Sequence, residues 1–427
     1  MRRLVVLGAG TAGTMVVNKL RPRLARDEWS VTVVEPSAEH FYQPGFLFLP
    51  FGSLRARDVV RPVRPTLTSG VELVRAAVDR VDPDARVVHL EDGRTLAYDY
   101  LVIATGTSPR PDETPGMREG LGDTVHEFFT YHGAMALAAR LADWPGGRLV
   151  VHVTEMPIKC PVAPLEFAFL ADAFFTDRQI RDKVEITYAT PLPGAFTKPV
   201  ASAALGSMLE DRGVHVEPDF VVEQVDAEAG TLSAFDGREL GFDLLVTIPV
   251  NMGADFVARS GLGDELNYVP VDKHTLLSTA YDTIFAIGDA SDAPASKAGS
   301  VAHFAVESFV PNFLAHVAGR PMTHGFDGHA NCFIESGHGK GLLIDFSYDV
   351  EPLPGTYPLP RVGPFRLLRE SRVNHWGKLA FRHLYWHALL PGRRLPVSAH
   401  MSMVGKQRPE APTPGTTTGP VVPAGMD

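Results

Sequence analysis

The sequence predicts an α/β protein with two successive strand–helix–strand domains, and three observations predict it. A glycine turn, Gly8-Ala9-Gly10-Thr11-Ala12-Gly13, joins a short apolar β-branched run to an amphipathic one. A second strand-then-helix pattern opens near Arg148, beyond a proline-rich crossing from Ser108 to Pro115. A short pattern also repeats: Glu91-Asp92-Gly93-Arg94 followed by Leu101 to Thr105 is echoed by Phe235-Asp236-Gly237-Arg238 followed by Leu244 to Ile248. A chain of 427 residues exceeds one ordinary core. The expected architecture is therefore two Rossmann-like, three-layer domains and a smaller C-terminal region.

Taken in order, Leu4 to Leu7 reads as a strand, Ala12 to Leu24 as a helix, and Ser30 to Val34 as a strand ending in Glu35. Further strands fit Val71 to Ala76, Arg86 to Leu90 and Leu101 to Ala104. The crossing from Ser108 reads as an inter-domain linker. The second domain starts at Arg148 to Val153 and runs to about Tyr268, after which Thr283 to Asp289 returns to the first. The expected boundaries are 1–110 with 276–321 for the first domain, 111–275 for the second and 322–406 for the C-terminal region. Residues 407–427, rich in Pro, Gly and Thr, read as a disordered tail.

Composition removes several function classes. Hydrophobic residues make up 45% and charged residues 21%, and no apolar run reaches the length of a membrane span. A net charge of -10 argues against a nucleic-acid binder, which needs clustered basic residues. The sixteen histidines and two cysteines show no metal-ligand spacing, so no metal is expected, and no Gly-x-Ser-x-Gly elbow marks a hydrolase. Gly337-His338-Gly339-Lys340-Gly341 lacks the Ser/Thr of a phosphate loop and reads as a hairpin turn. The first strand begins almost at Met1 with no signal-like leader, which gives the expectation of a cytoplasmic start.

The glycine turn fits a dinucleotide. Gly8 makes the tight turn, Gly10 admits backbone to a pyrophosphate, Gly13 lets helix and sheet approach, and Glu35 is placed to accept from ribose hydroxyls. Two later segments narrow the ligand to FAD. Ala104-Thr105-Gly106 closes the first half of the domain, and Ile284-Phe285-Ala286-Ile287-Gly288-Asp289 returns to it with a carboxylate suited to a ribityl chain. The helix opening near Lys297-Ala298-Gly299 would stabilise negative charge on a reduced ring.

The second domain carries no such loop. Its first strand is followed by Val153-Thr154-Glu155-Met156-Pro157-Ile158-Lys159-Cys160-Pro161, without glycine, so NAD(P)H is not the expected electron donor. The segment offers a thiol instead. Cys160 precedes an apparent helix, Ala163 to Phe175, beside Lys159, and both features favour thiolate. Whether Cys160 and Cys332 are unrelated core thiols or meet in space stays open on the residues alone.

On the glycine turn, Phe41-Tyr42-Gln43-Pro44, Pro157-Ile158-Lys159-Cys160, Asn331-Cys332-Phe333-Ile334-Glu335 and the closing helix around Lys378, the chain resembles the sulfide:quinone oxidoreductases, to about Lys406. It is similar, next, to the flavoprotein subunit of flavocytochrome c sulfide dehydrogenase. The resemblance implies non-covalent FAD with Pro44 beside it, and Cys160 and Cys332 as a redox pair holding a di- or trisulfide. It also implies Glu166 and His132 as proton acceptors, and oxidation of hydrogen sulfide with transfer of two electrons to a membrane quinone. Sulfane sulfur would leave as persulfide or polysulfide, in the two-cysteine branch to a small sulfur acceptor. Phe128-Phe129 stands near the place of a third cysteine found in many members.

Between His375 and Leu390, the residues Trp376, Leu379, Phe381, Leu384, Tyr385, Trp386, Leu389 and Leu390 read as an apolar surface, with Lys378 and Arg382 on a narrow stripe. That pattern predicts either an amphipathic helix at the membrane interface, with peripheral contact with the cytoplasmic membrane, or a C-terminal helix packed into the core or a dimer interface; the family resemblance favours the membrane. Lys378 is then a candidate partner for a quinone carbonyl, and a homo-oligomer is expected. Competing readings are a type II NADH:quinone dehydrogenase, a cytochrome-linked sulfide dehydrogenase and a non-catalytic flavoprotein that senses persulfide.

Overall fold

The computed structural model describes residues 1–395 and 397–408. Two parallel five-stranded sheets form its frame. The first runs Ile284–Ala286, Tyr100–Ile103, Arg2–Leu7, Trp29–Val34, Glu72–Val74, with every neighbouring pair parallel. The second runs Val125–His126, Leu244–Ile248, Gly147–Val153, Val184–Ala189, Val214–Glu217 and is parallel throughout. Strands buried on both faces read as unbroken apolar runs, which is why Leu4 to Leu7 and Leu244 to Leu245 show no polar alternation. The α/β class with two Rossmann-like sheets is as the sequence predicts.

The repeat seen in the sequence has a structural counterpart. Each sheet carries an antiparallel three-stranded meander, Val78–Asp82/Val87–Leu90/Thr95–Ala97 in the first and Val222–Asp226/Thr231–Ala234/Glu239–Gly241 in the second. Gly93 and Gly237 both turn at φ +85°, and each is followed by an arginine whose Nε donates to the aspartate two residues back, Arg94 to Asp92 and Arg238 to Asp236. The first strand of each sheet is tied the same way: Arg3 donates from backbone and guanidinium to Asp99, and Arg148 does so to Asp243.

Two boundaries differ from expectation for local reasons, and one turn is as expected. The first helix is Thr11–Leu20 and continues only as a 3-10 turn, Arg21–Arg23, because Pro22 lacks the N–H that a longer helix needs. The expected linker is not a free crossing: Ser108–Arg110 pairs antiparallel with Val250–Met252, a ribbon that joins the two sheets' connections. His338 and Gly339, both at positive φ, turn the hairpin between Ala330–Gly337 and Lys340–Phe346. That hairpin belongs to a C-terminal sheet closed by Phe365–Leu367 and Gly355–Tyr357. Nearly all of the tail read as disordered lies outside the described residues.

The core holds three neutral histidines. Burial depresses His40 to about 4, His152 to about 3 and His303 to about 4. Between the ordinary value near 6.5 and these lowered values, the unfolded chain binds protons that the folded chain refuses. Their contribution to stability is therefore complete above about pH 6.5 and is lost as pH falls toward 4. The melting temperature should drop by several degrees from pH 7 to pH 5 in a thermal scan, and a flat profile would contradict this burial.

Candidate functional site

The glycine turn divides its labour as the sequence suggests. Gly8 sits at φ +97°, where a Cβ would lie 2.6 Å from the Ala104 carbonyl oxygen, and a Cβ on Gly13 would lie 2.0 Å from the Gly8 oxygen. Gly10 has nothing within 4 Å of its Cβ position. Two glycines are thus demanded by the protein's own packing, and the third leaves space on the side where a pyrophosphate would approach. Glu35 accepts from the Ala9 N–H at 2.8 Å and from the Ser37 N–H at 2.8 Å. Its carboxylate holds the turn in shape, a duty beyond the ribose contact expected of it.

The turn opens onto a partly enclosed cleft. Most of the residues singled out in the sequence line it: Gly10, Pro44, Thr105, Gly106, Gly288, Asp289, Lys297 and Gly299, together with Cys160, Cys332, Glu166 and Lys378. Gly8, Gly13 and Glu35 stand behind this lining. Thr105 Oγ1 is buried without a hydrogen-bond partner, and the helix Gly299–His316 starts at the cleft wall. An extended anionic nucleotide fits these features: open space at Gly10, an unpaired hydroxyl at Thr105, and the positive pole of a helix.

Cys160 and Cys332, far apart in the chain, share this cleft as free thiols. Cys332 lies on the strand Ala330–Gly337, paired opposite Ile344, with Ser300 Oγ at 3.8 Å from its sulfur. Cys160 lies just before the helix Ala163–Asp177 in a left-handed conformation, φ +49°, its N–H donating to the Lys297 carbonyl at 2.5 Å. The Lys297 side chain in turn donates to the carbonyls of Ser291 at 2.8 Å and Asp289 at 3.3 Å. One residue therefore ties the cysteine loop to the Gly288-Asp289 return.

The thiol environment corrects a sequence expectation. Cys160 is not poised as a thiolate: burial pushes it up to about 12, and Cys332 up to about 11. Lys159 is not the main cation there: its ammonium donates to Gln43 Oε1 at 3.0 Å. The cation that opposes burial at both sulfurs is Lys378, which sequence reading placed on a surface stripe. Lys378 Nζ donates to Glu166 Oε1 at 2.6 Å and to the Phe333 carbonyl at 2.8 Å. Burial pushes the Glu166 carboxyl up, against the pull of Lys378. Glu166 Oε2 is buried with no partner.

Further residues in and beside the cleft were given no chemical role by the sequence, or another place. Glu335 and His375 pair at 2.8 Å beside this site; burial raises the Glu335 carboxyl, opposed by His375. Ser300 had no motif to mark it. Phe128 and Phe129 line the cleft, with Phe128 stacked on Phe167 at 4.9 Å. His132, expected near the cysteines, is exposed on the first turn of Tyr131–Asp143 and lies outside the lining. The reason is local: Thr130 caps that helix by accepting from the Gly133 N–H, which leaves His132 on the outer face.

The closing helix also differs from its reading. It spans Arg372–Leu384 and passes into a π-turn, Tyr385–Leu389. Tyr385, Trp386, Leu389 and Leu390 are buried against the first domain rather than exposed, and Arg61 stacks on Trp386 at 4.3 Å. Arg382 pairs with Asp58 at 2.8 Å. The exposed apolar face is smaller: Val373, Trp376, Leu379 and Leu384, with Trp376 at 63% exposure. Among the described residues no helix is long and apolar enough to cross a membrane, and no metal-binding cluster occurs.

Comparison with known proteins places this geometry. Residues 2–308 match the family model of the pyridine nucleotide-disulphide oxidoreductases. The mitochondrial sulfide:quinone oxidoreductase of Dictyostelium discoideum is 27% identical over 92% of this chain and 86% of its own. The type II NADH:quinone oxidoreductase of Staphylococcus aureus strain MSSA476 is 27% identical over 81% of this chain and 90% of its own. The crystal structure of the sulfide:quinone oxidoreductase from Aquifex aeolicus superposes with a TM-score of 0.77 at 19% identity, covering 92% of each chain.

Proposed function

The chain belongs to the pyridine nucleotide-disulphide oxidoreductase family, and from that premise we propose that it oxidises hydrogen sulfide and reduces a membrane quinone with FAD as its bound cofactor. The observation that carries this reading is the meeting of the chain's two cysteines in one cleft with the buried Lys378–Glu166 pair. Gly10, Thr105, Asp289 and the helix start at Gly299 are the residues that would hold FAD, with Glu35 for its ribose. When bound, FAD supplies a two-electron acceptor that the side chains themselves lack.

The protein's own part is thiol exchange. In the oxidised enzyme Cys160 and Cys332 are joined directly or through one further sulfur. Hydrosulfide attacks a bridging sulfur, which leaves a persulfide on one cysteine and frees the other as thiolate. Because burial disfavours a thiolate at either position, the new negative charge needs the Lys378 ammonium beside it. Glu166, its proton affinity raised by burial, is suited to take a proton from incoming hydrogen sulfide or from the persulfide that forms. Sulfane sulfur then leaves to a small acceptor, and the two thiols left behind would close their bridge again by giving two electrons to bound FAD and their protons to Glu166 and water. Quinone would enter beside Lys378, from the side where Trp376 and Leu379 expose an apolar face to the membrane interface.

The kinship to type II NADH:quinone oxidoreductases makes NADH the informative control. Purified holoprotein should reduce a short-chain quinone with sulfide as donor and not with NADH. Turnover with NADH and none with sulfide would replace this reading by the NADH dehydrogenase one.

A further inference from the structure

The end of the closing helix reaches the glycine turn through a hydrogen-bond chain with only one arrangement of protons. Tyr385 Oη lies 2.8 Å from Thr11 Oγ1 and 2.7 Å from His40 Nε2, and His40 Nδ1 lies 2.8 Å from the Ala9 carbonyl oxygen. A carbonyl only accepts, so Nδ1 carries the proton. Burial keeps His40 neutral, so Nε2 is bare and must accept from the Tyr385 hydroxyl. The Tyr385 oxygen is then left to accept from the Thr11 hydroxyl. Tyr385 and His40 are both buried, so water does not compete for these groups.

The chain ends on the residues that would face FAD. Thr11 is the first residue of the helix Thr11–Leu20 and lines the cleft beside Gly10. The Ala9 oxygen takes a second bond, from Thr14 Oγ1 at 2.8 Å. The helix and π-turn that supply Tyr385 also carry Lys378 into the cleft. Nothing in the sequence links these residues, since Tyr385 is more than 340 positions from His40.

We propose that Tyr385 and His40 form a latch through which the docked C-terminal helix holds the Gly8–Gly13 turn in its FAD-binding shape, so that FAD retention depends on a residue that never touches the cofactor. Both are positioning residues, acting through Thr11 and Ala9. The inference rests on FAD binding at this turn but not on sulfide as substrate.

Equilibrium binding of FAD to apoprotein, followed by flavin fluorescence, tests it. Tyr385→Phe and His40→Asn, the latter keeping a donor for Ala9, should each weaken FAD binding about tenfold, the scale of one buried hydrogen bond. The double variant should be no weaker than either single one, because both remove the same link. His40 lies outside the cleft lining and off the closing helix, so the His40→Asn result keeps the test open if the Tyr385 variant does not fold. Unchanged FAD affinity, with equal falls in the apo and holo melting temperatures, would reduce the chain to packing and overturn the latch. Failure of the unmodified protein to bind FAD would instead refute the cofactor assignment.

Discussion

Cys160→Ser and Cys332→Ser should each abolish reduction of the bound flavin by sulfide, a loss of at least roughly 10³-fold, the scale on which removing one member of a catalytic unit acts. Serine cannot form the sulfur bridge that hydrosulfide opens, so the loss should be complete with either variant and no greater in the double one. Both positions are partly buried at the cleft wall and exchange sulfur for oxygen at nearly constant shape. The variants should therefore still fold and bind FAD, with an unchanged flavin absorbance per protein. Rapid mixing with sulfide separates the outcomes. Normal reduction in either variant removes the thiol mechanism, whereas loss of flavin would make the variant uninformative about chemistry and point to packing.

Gly10→Val and Gly13→Val should part company. A Cβ at Gly10 meets no protein atom within 4 Å, and the residue's φ of −71° suits any amino acid. That variant should fold with a melting temperature near the apo value yet be colourless, because the valine fills the space left for a pyrophosphate. At Gly13 the first side-chain carbon already falls 2.0 Å from the Gly8 oxygen. Helix and strand must separate, so this variant should lose both FAD and several degrees of apo stability. Visible absorbance and thermal scans of the two apoproteins check the contrast. A yellow Gly10→Val protein would place the dinucleotide elsewhere.

What the sequence made legible was local. The glycine turn, the Gly288-Asp289 return and the missing second glycine loop are contiguous segments whose chemistry follows from a few neighbours. Lys378 and Glu166 were each visible as candidates, but their pairing across 212 positions carries no signal in one sequence. Lys159 looked like the cation for Cys160 because it is adjacent in the chain, although its ammonium is taken up by Gln43, more than a hundred positions away. The closing helix misled for another reason. Apolar residues cover most of the surface from His375 to Leu390, so the pattern does not mark which face is buried, and in the π-turn Tyr385–Leu389 both Tyr385 and Trp386 are packed inward. The His40–Tyr385–Thr11 chain was hidden by the same turn.

The most direct measurement is anaerobic mixing of the FAD-loaded protein with sulfide while the visible absorbance of the flavin is recorded. Rapid bleaching by sulfide, reversed on adding a quinone, is the predicted result. A flavin that stays yellow with sulfide and bleaches with NADH would contradict it.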